Sequence, residues 1–216
     1  FSKWQDDQKT VELKDLSHRS LLAAGMLGIP WVVFEPETAR GAWDAAHIKA
    51  LIQRNVDWFA PLVETAEQAN TGLALENVTD EYAQSGRGAS RWIGAVPAEL
   101  IDLVDAFASH RVGVCWDTGH AFIQKVEQGG AIRAFGSRLK ALHIQDNDGL
   151  TDQHLAPFYG QVPWQDIMSA LRDIQYSGDF TFEIHNFIRP LPDALRDEAM
   201  RLAVSIGRNL LTQENF

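Results

Sequence analysis

Val112-Gly-Val-Cys-Trp116 runs straight into Asp117-Thr-Gly-His120: a short apolar run, a carboxylate, then a turn into polar sequence. A run this short and this apolar has the character of a parallel strand buried on both faces. A carboxylate just past its end is costly to bury without a partner. The same grammar recurs along the chain. Leu73-Ala-Leu75 precedes Glu76-Asn77, and Leu139-Lys-Ala-Leu-His-Ile144 contains His143 and leads into Gln145-Asp-Asn-Asp148. Phe180-Thr-Phe-Glu-Ile184 contains Glu183, and Trp31-Val-Val-Phe34 is a fifth run of the same kind.

Between these runs the spacing predicts helices over His18–Leu27, Trp43–Asn70, Pro97–Ser109, Gly129–Arg138, Trp164–Ile174 and Asp193–Leu211. Pro97 sits where a first helical turn tolerates proline, and Leu100, Ile101, Val104 and Phe107 recur at helical spacing behind it. Strand alternating with helix argues for an α/β architecture with a mostly parallel sheet. The strand ends separate an open sheet from a barrel. In a flat sheet, four successive ends would spread over roughly 14 Å. Metal–ligand bonds are near ~2 Å, so Glu76, Asp117, His143 and Glu183 can share an ion only if the sheet curves strongly, as in a (β/α)8 TIM barrel. A complete barrel needs about 250 residues. With five runs visible, residues 1–216 are expected to form a single (β/α) barrel domain, the C-terminal five units of a barrel whose first strands are missing from this sequence or supplied otherwise.

The composition is that of an ordinary globular protein: 216 residues, 45% hydrophobic and 22% charged. Lys and Arg total 19 against 29 Asp and Glu, a net charge of -10 that works against binding nucleic acid or an anionic membrane. One cysteine, Cys115, excludes an internal disulfide and fits a reducing, cytoplasmic setting. No apolar run is long enough to span a membrane, and Phe1-Ser-Lys-Trp-Gln-Asp-Asp7 reads as too polar for a signal peptide.

Each polar residue also has a plainer reading. A lone glutamate at a strand end often serves a helix terminus or a salt bridge. Asp117 before Thr-Gly can cap the helix that follows. His143 alone reads as a core histidine, while Asp146 and Asp148 in Asp-Asn-Asp-Gly149 read as turn residues. His18, His47 and His110 read as surface residues, and Trp116 reads first as packing beside Asp117. The joint pattern shifts the balance, because suitable ligands end four consecutive runs. Three carboxylates with one imidazole favour Mn²⁺, Mg²⁺, Co²⁺ or Zn²⁺ over copper or an iron–sulfur cluster.

Leu-Ala-Leu-Glu-Asn77, Asp-Thr-Gly-His120, Leu-His-Ile-Gln-Asp146 and Phe-Glu-Ile184 resemble the xylose isomerase-like TIM-barrel superfamily, over roughly residues 30–211. That superfamily includes the sugar (phosphate) isomerases and epimerases and the endonuclease IV group. The resemblance implies that Glu76, Asp117, His143 and Glu183 hold a divalent metal, Mn²⁺ first among the choices. It implies that Glu76 and Glu183 are the acid/base pair, and that His120 contacts substrate. The chain departs from the ketose epimerases in having no arginine between His143 and His154. Asp152-Gln-His154 instead resembles the Asp-x-His pair with which endonuclease IV, using a histidine like His120, holds further zinc. Its earlier zinc-binding histidine is replaced here by Glu35.

The expected activity is isomerisation or epimerisation of a small sugar, sugar phosphate or keto-polyol through an enediolate. One glutamate would remove the proton beside the carbonyl and the other return one. His120, His154 and Trp116 are the expected substrate contacts, with Phe187 as a further apolar face. Two alternatives stay open. One is an endonuclease IV-like phosphodiesterase with a second metal on Asp152, His154 and His120; the other is a metal- or polyol-binding barrel without turnover. Barrels of this kind often pair, which leaves a homo-oligomer open.

Overall fold

The computed structural model describes residues 8–36, 45–80 and 92–212. The chain forms two compact units, Phe1–Cys115 and Trp116–Phe216.

In the first unit, helix α1 (Gln8–Met26) leads to β1 (Trp31–Phe34), α2 (Ala45–Ala69), β2 (Gly72–Glu76), α3 (Pro97–Ala106) and β3 (Val112–Asp117), whose last two residues open the second unit. The three strands pair in parallel. Trp31 lies opposite Gly72 and Phe34 opposite Leu75, while Leu73 lies opposite Val112 and Glu76 opposite Cys115. Residues of α2 at helical spacing, Leu51, Phe59, Leu62, Val63 and Ala66, bury one face of that helix. Each large apolar side chain buried there contributes about 1.5–3 kcal/mol. The predicted start of this helix at residues 43–44 lies outside the described residues.

Three expectations are corrected in this unit. α1 begins ten residues earlier than the predicted His18, and its polar first half buries nothing before Ser17. His18 itself is half-buried, with Nδ1 2.7 Å from the Thr65 hydroxyl of α2, so it fastens two helices together instead of facing water. The buried stripe of α3 runs through Leu100, Leu103 and Val104. Ile101, expected inward, is only half-buried.

The second unit contains α4 (Thr118–Ile123), α5 (Gln128–Phe135), a 3-10 turn (Gly136–Arg138), β4 (Leu139–Ile144), α6 (Trp164–Asp173), β5 (Thr181–Phe182), α7 (His185–Ile188) and α8 (Asp193–Thr212). β4 and β5 are parallel, with His143 opposite Thr181 and Ile144 opposite Phe182; the Glu183 N–H donates to the Ile144 carbonyl at 3.0 Å, one step beyond the ladder. β5 is shorter than the predicted Phe180–Ile184 because the backbone turns into α7 at His185. α5 and α6 pack side by side: the Gly129 N–H donates to the Asp166 carboxylate, and the Arg133 Nε–H to Asp173 at 2.8 Å. Trp164, Ile167, Met168 and Leu171 form the buried face of α6.

The sheet order is β1-β2-β3-β4-β5, following the chain without reversal. A doubly wound open sheet changes direction at a switch point, whereas a (β/α) barrel does not. The architecture is therefore the expected one, consecutive units of a (β/α) barrel. Among the described residues, no helix is long and apolar enough to cross a membrane.

Candidate functional site

Asp117 ends β3 fully buried and caps α4, its Oδ1 accepting the His120 N–H at 2.6 Å. Such a cap stabilises by about 1 kcal/mol, so the plain reading of Asp117 holds alongside any other. One turn of helix brings the His120 ring back over the cap, with Nδ1 3.7 Å from Asp117 Oδ1. His120 Nε2 lies 3.5 Å from Asp152 Oδ2, and Asp152 Oδ1 lies 3.4 Å from His154 Nδ1. His154 Nε2 in turn is 3.5 Å from Glu183 Oε1, while Glu183 Oε2 is 3.1 Å from His143 Nδ1. Six sequence-predicted residues of the second unit thus form one continuous chain of contacts: Asp117, His120, Asp152, His154, Glu183 and His143.

The long connection from β4 to α6 supplies the middle of that chain, and Asp146 holds it in place. This buried carboxylate accepts from the backbone N–H groups of Asn147, Phe158 and Val162 at 2.9 Å and from Trp164 Nε1 at 3.0 Å. Gly160 is required at its position, because a Cβ there would run into Asp146 Oδ1 and the Asn147 backbone. Asp148 is the expected turn residue, accepting from the N–H groups of Leu150 and Thr151.

Gln145 fixes Asp152 from the strand side, its Nε2 donating to Asp152 Oδ1 at 2.7 Å. Gly119 allows it, since a Cβ at Gly119 would occupy the space of the Gln145 amide. Sequence reasoning passed over Gln145, although the signal was present: it lies two residues past His143, on the same face by strand alternation. The His185 ring sits 4.2 Å from that of His154, tilted by 40°.

The electrostatics follow from these contacts. Hydrogen bonds from His143 and His154 hold the Glu183 carboxyl well below its ordinary value of 4.5, outweighing the opposing effect of burial. Burial pushes Asp152 up, but His120 and Gln145 together bring it below its ordinary value. Glu183 raises His154 above 6.5, against desolvation.

Trp116 is fully buried. Its Nε1–H donates to the buried Gln128 side chain at 3.2 Å and its ring packs 5.0 Å from Phe135. Successive side chains of a strand point to opposite faces, so Trp116 packs into the core on the face away from Asp117. The Phe187 ring lies 4.8 Å from that of Tyr159, tilted by 59°. Glu76 belongs to the first unit, where it closes β2 nearly buried, with the Asn77 N–H bonded to the Cys115 carbonyl. The donors of the second unit, carboxylates with imidazole, are chemically suited to a hard or borderline divalent cation.

Residues 4–203 match the protein-family model described as a xylose isomerase-like TIM barrel. The chain belongs to the xylose isomerase-like TIM-barrel family. Within that family it is 34% identical over 122 residues to a D-psicose 3-epimerase of Enterocloster bolteae, covering 56% of this chain and 36% of that protein. It is 37% identical over 187 residues to the uncharacterized protein y4fM of Sinorhizobium fredii, covering 83% of this chain and 54% of that one. A crystal structure of D-psicose 3-epimerase in the presence of D-fructose superposes with a TM-score of 0.73 at 22% identity, over 97% of this chain and 74% of that one. This xylose isomerase-like chain therefore spans about half or less of the length of these two relatives.

Proposed function

We propose that the chain is the metal-binding part of a sugar epimerase that inverts a hydroxyl-bearing carbon beside a ketone. In this reading Glu76, Asp117, His143 and Glu183 hold one divalent ion, Mn²⁺ foremost. The observation that carries it is the Glu183 carboxylate, anchored by His143 on one oxygen and His154 on the other. A carboxylate held this firmly is preorganised to exchange a proton with a bound substrate at a fixed point. The names of the epimerase relatives support the choice of reaction, a ketose or a ketose derivative being the substrate class.

When bound, the cation supplies charge stabilisation at the substrate carbonyl and its neighbouring oxygen. The chain's own groups do the rest. Glu183 takes the proton from the carbon on one side, and Glu76 delivers one on the other. His120, fixed between Asp117 and Asp152, donates to a substrate hydroxyl, and His154 contacts a second. Asp152 orients both rings.

The test is solvent-deuterium incorporation. Metal-loaded protein incubated with a panel of ketoses in D₂O should place deuterium on one carbon next to the carbonyl of at least one of them. If no ketose exchanges a carbon-bound hydrogen, the reading fails.

A further inference from the structure

We propose a second cation site made by His154, Glu183 and His185, suited to zinc, whose occupation shuts down the proton-transfer carboxylate. These three residues each offer a ligand atom, and the three atoms lie within 4.8 Å of one another. Glu183 can serve two ions because its oxygens diverge: Oε2 faces His143 and Oε1 faces His154. A carboxylate in that position bridges.

His154 is prepared for the role. Its Nδ1 faces Asp152 Oδ1, which Gln145 Nε2 also holds. An imidazole that gives its Nδ1–H to a carboxylate keeps the Nε2 lone pair, and this pairing orients metal-binding histidines. In the metal-free protein Nε2 faces Glu183 Oε1 at 3.5 Å with its proton between them, and an ion bound there takes that proton's place. The third donor, His185, opens the short helix α7 beside the His154 ring and is exposed. Donors around one zinc ion lie roughly 3.3–3.6 Å apart, so the group needs to close by about 1 Å. A surface imidazole can swing that far by rotating its side chain.

The donor set sets the preference. Two imidazoles with one carboxylate suit zinc, whereas carboxylate-rich sites also take Mg²⁺ and Mn²⁺. The inhibitory consequence rests on the epimerase reading, in which Glu183 carries the proton. An ion on Oε1 withdraws the basicity of Glu183 and displaces the substrate hydroxyl from His154. The site is thus an off-switch set by free zinc.

The experiment uses the full-length protein loaded with Mn²⁺ and titrated with zinc chloride, reading zinc uptake by equilibrium dialysis and turnover by deuterium exchange. Wild type should take up about one equivalent more zinc than His185→Ala. Zinc should inhibit exchange in wild type, spare it in His185→Ala, and inhibit again in His185→Cys, whose thiolate restores a donor. His185 lies on the surface outside the proposed machinery, so His185→Ala should keep its exchange rate without zinc. Asp152→Asn should weaken the extra zinc about 10–100-fold. Equal zinc uptake by wild type and His185→Ala overturns the site. Uptake needs no turnover, so absent deuterium exchange with a preserved uptake difference defeats the epimerase reading and the off-switch, and leaves the zinc site standing.

Discussion

Glu183 and His143 meet across adjacent parallel strands, Glu183 Oε2 lying 3.1 Å from His143 Nδ1 one residue past the last ladder pair. The pairing places an imidazole and a carboxylate at the same end of β4 and β5, where barrel sites are built. It also fixes the carboxylate without consuming both of its oxygens.

Glu183→Gln keeps the shape of the side chain and removes its capacity to hold a proton. Deuterium exchange into substrate should fall by about 10²–10⁴-fold, the usual worth of a positioned acid or base. Thermal unfolding should stay cooperative. Exchange at the wild-type rate would remove Glu183 from the reaction.

His143→Ala removes a proposed first ligand. Metal retention, read by equilibrium dialysis against Mn²⁺, should weaken by more than the about 10–100-fold that loss of an outer partner costs. Unchanged retention would show that His143 is only a core histidine that anchors Glu183.

Much of this site was legible in sequence, and the reason is local. Asp117, His143 and Glu183 each break a short apolar run near its end, and burial there demands a partner. β1 to β4 fall where their β-branched and aromatic runs place them. The misses have physical causes as well. The first half of α1 carries almost no apolar stripe, so periodicity could not announce it; α4 and α7, at six and four residues, are too short for a helical period. Gln145 was missed because an amide carries no chemistry of its own until its contact with Asp152 is seen.

Gly119→Ala tests that contact. The added methyl would meet the buried Gln145 amide and displace it from Asp152. We expect a loss of about 1–3 kcal/mol in urea unfolding, as for overpacking, with a raised KM. A variant with wild-type stability and KM would show that Gln145 can yield without consequence.

Asp146→Ala would strip four donors of their shared acceptor. Each buried donor left unpaired costs about 1–3 kcal/mol, so a loss of at least roughly 3 kcal/mol is expected in urea unfolding. His154 should also become more exposed to exchange and labelling. A shift below about 1 kcal/mol would mean that the loop is held elsewhere.

The pH dependence of the metal-free protein follows from signs. Glu183 is lowered from 4.5, so its contribution is present above that value and is lost as pH falls through the lower folded value. His154 is raised from 6.5, so its contribution is complete below that value and is lost as pH rises through the higher folded value. The Tm difference between wild type and Glu183→Gln should be largest between 4.5 and 6.5 and shrink on both sides. A difference that grows steadily above pH 7 would contradict the pairing.

Anomalous diffraction from crystals of the Mn²⁺-loaded protein tests the central claim most directly. One strong manganese peak should be bonded to Glu76, Asp117, His143 and Glu183 together, at about 2.0–2.3 Å from each donor atom. A fully loaded crystal whose peak lies elsewhere, or touches fewer than three of these side chains, would contradict the account.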